Sequence, residues 1–344
     1  MTTHNDVLFE ERGQIGLIQL NRPAALNSLN HGMVLAMQLH LEKWANADNI
    51  KAVVIRATEG RAFCAGGDLR AAYEAKKINH PGLYLFFRDE YQLNRYIFHF
   101  PKPYIALLDG ITMGGGAGIS LHGSHRVVTE RMIFAMPETG IGFFPDVGGT
   151  YFLPRISGQL GFFLALTGTK INPDDCLALK LVDTKIKSES LNHLIEALVE
   201  TTFDKDAFQS VDAVIQSFQQ PAEESSFLLQ MKKRHNDFSH HTIENIIQKL
   251  EQSSDDFSQQ VLKTITLKSP TSLKVTLEAL RRGKQLDFDA CMQQEQILML
   301  NFLKNHDFME GIRALIIDKD QSPQWKPNQL KFVSQAMVDS YFLS

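Results

Sequence analysis

The spacing of apolar residues changes along this chain, and that spacing is the first guide to its elements. Residues 7–11, VLFEE, and 15–21, IGLIQLN, read as two strands around an RGQ turn, the second alternating apolar and other side chains. Across residues 31–45 the period lengthens: Val34, Met37, Leu41 and Trp44 recur at i, i+3, i+7 and i+10, on one face of a helix. Residues 52–57, AVVIRA, are almost all apolar, as a strand buried on both faces would be. A loop with glycines follows at 59–68, EGRAFCAGGD, then a helix from about Leu69. The same order returns with a strand at 104–110, YIALLDG, a loop at 111–118, ITMGGGAG, and a short helix through Leu121. RVVT (126–129) and MIFA (132–135) are further strand-like pieces; residues 158–168 and 172–180 read as helices, the second with Pro173 in its first turn.

From about residue 188 the pattern changes. The runs at 191–203, 241–252 and 291–305 carry helical periodicity with few β-branched stretches. The expectation is an α/β fold, a layered spiral of strand, glycine loop and helix over residues 1–187, followed by a mostly helical region over 188–344. A chain of 344 residues, 44% of them apolar, can bury a substantial core.

Charge removes one class of function. Lys and Arg total 35 against 39 Asp and Glu, and no basic block is longer than MKKRH at 231–235, so nucleic acid is not an expected partner. Cys64, Cys176 and Cys291 are an odd number without close spacing, which argues against a disulfide framework and implies a reducing compartment. The first thirteen residues, MTTHNDVLFEERG, are acidic, lack a signal-peptide core and lack the Arg-rich, acid-poor look of a transit sequence. No run approaches the roughly 18 apolar residues of a membrane span. The expected location is therefore cytoplasmic, with no membrane partner.

Two carboxylates stand out in residues 136–149, MPETGIGFFPDVGG. Glu138 and Asp146 lie among glycine, proline and apolar residues, where a buried carboxylate must be paired, hydrogen-bonded or shifted in pKa. On spacing alone, Glu138 also reads as a helix-start acid or a member of a buried ion pair, and Asp146 as an N-cap. The loops CAGGD (64–68) and MGGGAG (113–118) place glycines between a buried strand and a helix start, where backbone N–H groups lack internal partners. Two such groups converging on one point make an oxyanion hole; the plainer reading is a pair of tight turns. Neither loop matches GxGxxG or GxxxxGK[ST], which disfavours a dinucleotide or P-loop site, and the twelve histidines form no HExxH, so no metal is expected.

Four segments in order, RPAALNSLN (22–30), RAFCAGGDLR (61–70), KPYIALLDGITMGGGAGIS (102–120) and FAMPETGIGFFPDVGGTYFLPR (134–155), resemble the crotonase, or enoyl-CoA hydratase/isomerase, superfamily. The resemblance implies an acyl-CoA substrate whose thioester oxygen is held by the N–H groups of Gly67 and Gly115. Hydratases of this kind use two glutamates. The position of the first is Gly118 here and that of the second is Glu138, while Asp146 stands where hydratases often carry glycine. With SPTSLKVTLEALRRG (269–283) and DFMEGIRALIIDKDQSPQW (307–325), this pattern resembles the 3-hydroxyisobutyryl-CoA hydrolase branch.

That branch implies thioester hydrolysis in valine breakdown, with Glu138 as general base or nucleophile and Asp146 orienting the water or the substrate 3-hydroxyl. It also implies Glu90 as a substrate contact, Leu26, Ala65, Gly66 and Asp68 along the CoA, and Lys319 as a phosphate candidate. No cofactor is implied, coenzyme A being part of the substrate, and a homo-oligomer is compatible with the family. On residues alone Glu90 reads as a solvated helix charge or a partner of Arg88 or Arg95. Cys64, with no histidine near it in sequence, reads as a small buried hydrophobe and not as a nucleophile. The alternatives are an enoyl-CoA hydratase or isomerase, which Gly118 disfavours, and a non-catalytic CoA-binding protein.

Overall fold

The apolar runs become strands such as Ala52–Ala57 and Tyr104–Leu108 in which successive residues are buried, so no alternation shows. The computed structural model describes residues 6–78, 81–203, 206–232 and 237–343; residues 1–5 of the N-terminal stretch and most of the basic run at 231–235 lie outside them. Nine strands are present among these residues: β1 (Val7–Arg12), β2 (Ile15–Leu20), β3 (Ala52–Ala57), β4 (Ala62–Cys64), β5 (Tyr104–Leu108), β6 (Ile111–Met113), β7 (His125–Thr129), β8 (Ile133–Ala135) and β9 (Thr184–Ile186). Six form one sheet in the order β1-β2-β3-β5-β7-β9, antiparallel only at the β1–β2 hairpin; β4, β6 and β8 form a second.

Register explains the core. Ile15 and Leu17, Ala52 and Val54, and Ile105 and Leu107 share one face of the large sheet and pack with Leu194, Ile195 and Leu198 of the helix Leu191–Glu200. On β2 the intervening Gly16 meets the helix His31–Asn46: a Cβ there would lie 2.5 Å from the Trp44 ring. Val34, Met37, Leu41 and Trp44 are all buried, as their period predicts. Fully burying a side chain of this size contributes about 1.5–3 kcal/mol.

The contacts divide the chain into two units. The first comprises Met1–Asp68, Arg88–Phe134 and Ile171–Ser226, and the second Leu69–Phe87, Ala135–Lys170 and Phe227–Ser344. This differs from a single division at 187/188. The shift in composition there marks where strands end, since β9 is the last strand among the described residues, whereas the units are assembled from segments distant in sequence. Past β9 the regular elements are helical, as expected.

In the second unit an aromatic cluster forms around Phe143, whose ring centroid lies 4.7 Å from Phe144, 4.6 Å from Phe308, 5.3 Å from Phe302 and 5.5 Å from Phe87. It fixes the segment immediately before Asp146. No helix among the described residues is long and apolar enough to cross a membrane.

Candidate active site

In the first unit, the parallel pairing of β4 with β6 sets the first glycine loop beside the second, and residues 26–29 pair in turn with the first. Leu26 and Asn27 take left-handed φ values of 52° and 54°, turning the chain so that residues 26–29 run beside 65–68. Ala65 N donates to Leu26 O at 3.1 Å, Leu29 N to Gly66 O at 2.8 Å, and Asp68 N to Leu29 O at 2.8 Å. Arg22 clamps the same region through Asp68 at 2.9 Å and Ser28 O at 2.7 Å. Leu29 exchanges its bonds with residues 66 and 68, so the N–H of Gly67 takes no part in the pairing. Gly115 opens the short helix Gly115–Gly118, whose internal bonds begin with Ala117 N to Gly114 O, so its own N–H is one of those a helix leaves unused.

The loops approach closely. A Cβ on Gly66 would lie 3.7 Å from Gly115 N; a Cβ on Gly115 would lie 3.4 Å from Gly67 N and 2.4 Å from Glu90 Oε1. Gly67, Gly115 and the Glu90 carboxylate therefore border one spot. Glu90, on the helix Gly82–Phe98, is only 2% exposed, which replaces the solvated-charge reading; Arg88 pairs with Asp89 instead. Gly118 is buried at the end of its helix and offers no side chain. Cys64 is fully buried, donates to Gly66 O at 3.7 Å, and burial pushes its thiol up to about 12, so it is no nucleophile.

In the second unit, Glu138 begins the 3₁₀ turn Glu138–Ile141 after Pro137 and is 6% exposed. Its Oε2 is buried without a hydrogen-bond partner among the described residues. Burial, and then the neighbouring Asp146, push the Glu138 carboxyl well above the ordinary range, with Lys268 pulling the other way. Ser269 N donates to Thr139 O at 3.4 Å, and Lys268 Nζ lies 3.1 Å from where a Cβ on Gly140 would be. Burial lowers the Lys268 amine and Glu138 opposes that shift.

Asp146 is 5% exposed and leads into a turn with left-handed φ at Val147 (51°) and Gly148 (87°). Gly148, not Asp146, is the N-cap of the helix Gly149–Phe152, and the capping reading of Asp146 does not apply. The fully buried Glu295, on the helix Phe288–Lys304, accepts from Gly148 N at 2.8 Å, Thr150 N at 2.9 Å and Thr150 Oγ1 at 2.6 Å. Burial pushes its carboxyl up to about 8 against the pull of those donors.

Sequence reading missed Lys268 and Glu295. Glu295 left a signal: it shares the helical stripe of Cys291, Leu298, Met299 and Phe302, an acid on an apolar face. Lys268 left none, since it lies in the junction before the helix Pro270–Gly283. Lys319 is exposed and stands between Asp318 and Asp320, both paired with Arg313. Among the described residues no three His, Cys, Asp or Glu side chains are grouped as metal ligands would be.

A family model described as enoyl-CoA hydratase/isomerase matches residues 15–342. The mitochondrial 3-hydroxyisobutyryl-CoA hydrolase of Rattus norvegicus is 43% identical over 344 residues, covering 98% of this chain and 89% of the relative. The Homo sapiens protein of the same name is 42% identical over 353 residues, covering 100% and 91%. Among solved structures, a carnitinyl-CoA dehydratase from Mycobacterium thermoresistibile superposes with a TM-score of 0.92 at 37% identity, covering 99% of this chain and 97% of that one. An enoyl-CoA hydratase from Rhodobacter sphaeroides 2.4.1 gives 0.88 at 34%, covering 98% and 97%.

These relatives correct the cytoplasmic expectation. The rat, human and zebrafish proteins are all named mitochondrial, which points to that compartment and away from the cytosol. Unpaired cysteines indicate a reducing compartment, and the cytosol is only one of these.

Proposed function

Because the chain belongs to the enoyl-CoA hydratase/isomerase family, we propose that it hydrolyses the thioester of 3-hydroxyisobutyryl-CoA to 3-hydroxyisobutyrate and coenzyme A, a step of valine breakdown. The observation that carries this reading is the pair Glu138 and Asp146, buried in one unit and close enough for one charge to act on the other, in a chain 42–43% identical to hydrolases of that name.

A thioester hydrolase has to activate water, hold an oxyanion and let a thiolate go. Glu138 takes a proton from water as the water oxygen bonds to the thioester carbon, and the carbonyl electron pair moves to oxygen. The N–H groups of Gly67 and Gly115 hold that oxyanion, a contribution whose loss typically lowers rate about 10²–10³-fold per donor. The carbonyl then re-forms, the C–S bond breaks, and the thiolate takes the proton held on Glu138. Direct attack by Glu138, through a mixed anhydride that water later opens, uses the same carboxylate. Label from ¹⁸O-water found in the Glu138 carboxyl after a single turnover marks the anhydride route with water adding at the Glu138 carbon, since general-base hydrolysis leaves the Glu138 oxygens unexchanged. Asp146 and Glu90 are assigned to the water and the 3-hydroxyl of the acyl group, and residues Leu26, Ala65, Gly66 and Asp68 to the CoA.

The similarity to solved structures named as a hydratase and a dehydratase favours a second reading, addition or removal of water at a C=C bond. Gly118 stands against it, because the first of the two hydratase carboxylates has no counterpart there. Free-thiol release measured on 3-hydroxyisobutyryl-CoA and on crotonyl-CoA decides. Thiol release from the first supports hydrolysis; consumption of crotonyl-CoA without thiol overturns it.

A further inference from the structure

We infer that Glu295 is a positioning residue for the proposed reaction, clamping the strained turn after Asp146 so that the Asp146 carboxylate is held in one orientation. The inference rests on the catalytic assignment of Asp146 made above.

A β-branched residue with φ near 51° is a backbone outlier, and such a conformation persists only where surrounding contacts over-determine it. Val147 sits directly between Asp146 and Gly148, so any relaxation of its φ swings the Asp146 side chain. The helix Phe288–Lys304 grips this segment on both sides. Before Asp146, the Phe302 ring stacks on Phe144 at 5.4 Å and meets Phe143 edge-on at 5.3 Å. After it, Glu295 takes the N–H groups of Gly148 and Thr150 and the Thr150 hydroxyl.

Packing alone does not call for an acid there. An apolar side chain would fill the space, and placing a carboxylate in a fully buried site beside Asp146 is unfavourable unless its bonds are needed. What only a carboxyl supplies, ionised or protonated, is two oxygens with lone pairs, one for each end of the Gly148–Thr150 step. A glutamine in its place keeps the size and one acceptor oxygen, and leaves one side of the clamp without its acceptor.

The test compares the unaltered protein with Glu295→Gln, Thr150→Val, Thr150→Ser and Asp146→Asn, using thiol release and amide hydrogen exchange at residues 147–150. Misplacement of a reacting group by about 1 Å can lower rate about 10²-fold. Glu295→Gln should lower kcat about 10–100-fold with little change in KM, Thr150→Val should do so more weakly, and Thr150→Ser, which keeps the hydroxyl, should recover most of the rate. In the Asp146→Asn background the Glu295→Gln effect should vanish, because a residue acting through Asp146 has nothing left to position. The Gly148 and Thr150 amides should exchange faster in Glu295→Gln. An unchanged kcat, or an equal fall in both backgrounds, overturns the inference. If Glu295→Gln does not fold, the Thr150 pair decides it by the same criteria. Absence of thiol release from the unaltered protein would remove the proposed function, whereas equal amide protection with and without the Glu295 carboxylate would remove the clamp.

Discussion

Glu138 shows how an environment tunes a single carboxyl. Its pKa is raised first by burial and then by Asp146, and it is lowered by Lys268. A general base works in its ionised form, so activity should fall as pH drops through this raised pKa, at a midpoint above the ordinary 4.5. The signs of two substitutions follow. Lys268→Met removes the cation that favours ionisation and should move the acid limb of kcat/KM to higher pH, whereas Asp146→Asn removes the opposing anion and should move it to lower pH. A pH–rate profile of each variant checks both, and an unmoved limb in Lys268→Met would exclude its electrostatic role. Glu138→Gln should lower thiol release about 10²–10⁴-fold, the usual contribution of a positioned base, with far-ultraviolet circular dichroism unchanged. Glu138 and Asp146 were legible in the sequence because an acid among glycine, proline and phenylalanine breaks the local pattern. Lys268 was not, because a lysine at a helix junction looks like any surface lysine.

Glycines carry much of the geometry of the short elements. Gly142 ends the 3₁₀ turn that starts at Glu138, with φ of 70°, and a Cβ there would lie 2.3 Å from Asp307 O. Gly142→Ala should destabilise the protein by at least about 1–2 kcal/mol from the left-handed backbone alone, read as a lower denaturant midpoint. Gly115→Ala should act differently: its methyl would collide with the Glu90 carboxylate and crowd Gly67 N. The expected result is a fall in kcat/KM of about 10²-fold or more, comparable to losing an oxyanion donor, in a protein that still folds. Long elements matched their patterns, and Asn172 and Asp175 form the capping box that starts the helix Pro173–Ala178. Strands β4, β6 and β9, three residues each, are too short to display a period, whereas the equally short β8 lies in MIFA, which reads as strand from its apolar run. The stripe of the helix Gly82–Phe98 is interrupted by Glu90 and Asn94, both buried.

The whole chain inherits a pH dependence from its buried acids. Glu295, raised from 4.5 to about 8 in the folded protein, keeps a proton that the unfolded chain has already released between those values. The native state thus binds more protons in that window, and its contribution to stability, present at lower pH, is lost as pH rises towards 8. Urea midpoints measured across the window should decline with pH, and Glu295→Gln should flatten that slope even while lowering stability; an unchanged slope would assign the dependence to other groups.

Near-neighbour information was enough for the α/β class, the helical C-terminal region, the order of the glycine loops and the two marked carboxylates, since period, turn chemistry and motif order are properties of short windows. It could not supply Glu295, which binds Gly148 across 147 positions of chain, nor the assembly of each unit from interleaved segments. Nor could it show that Glu90 is buried beside Gly115. The ionisation of a carboxyl depends on which dipoles, charges and apolar walls surround it, and folding brings those together from segments that no short window contains.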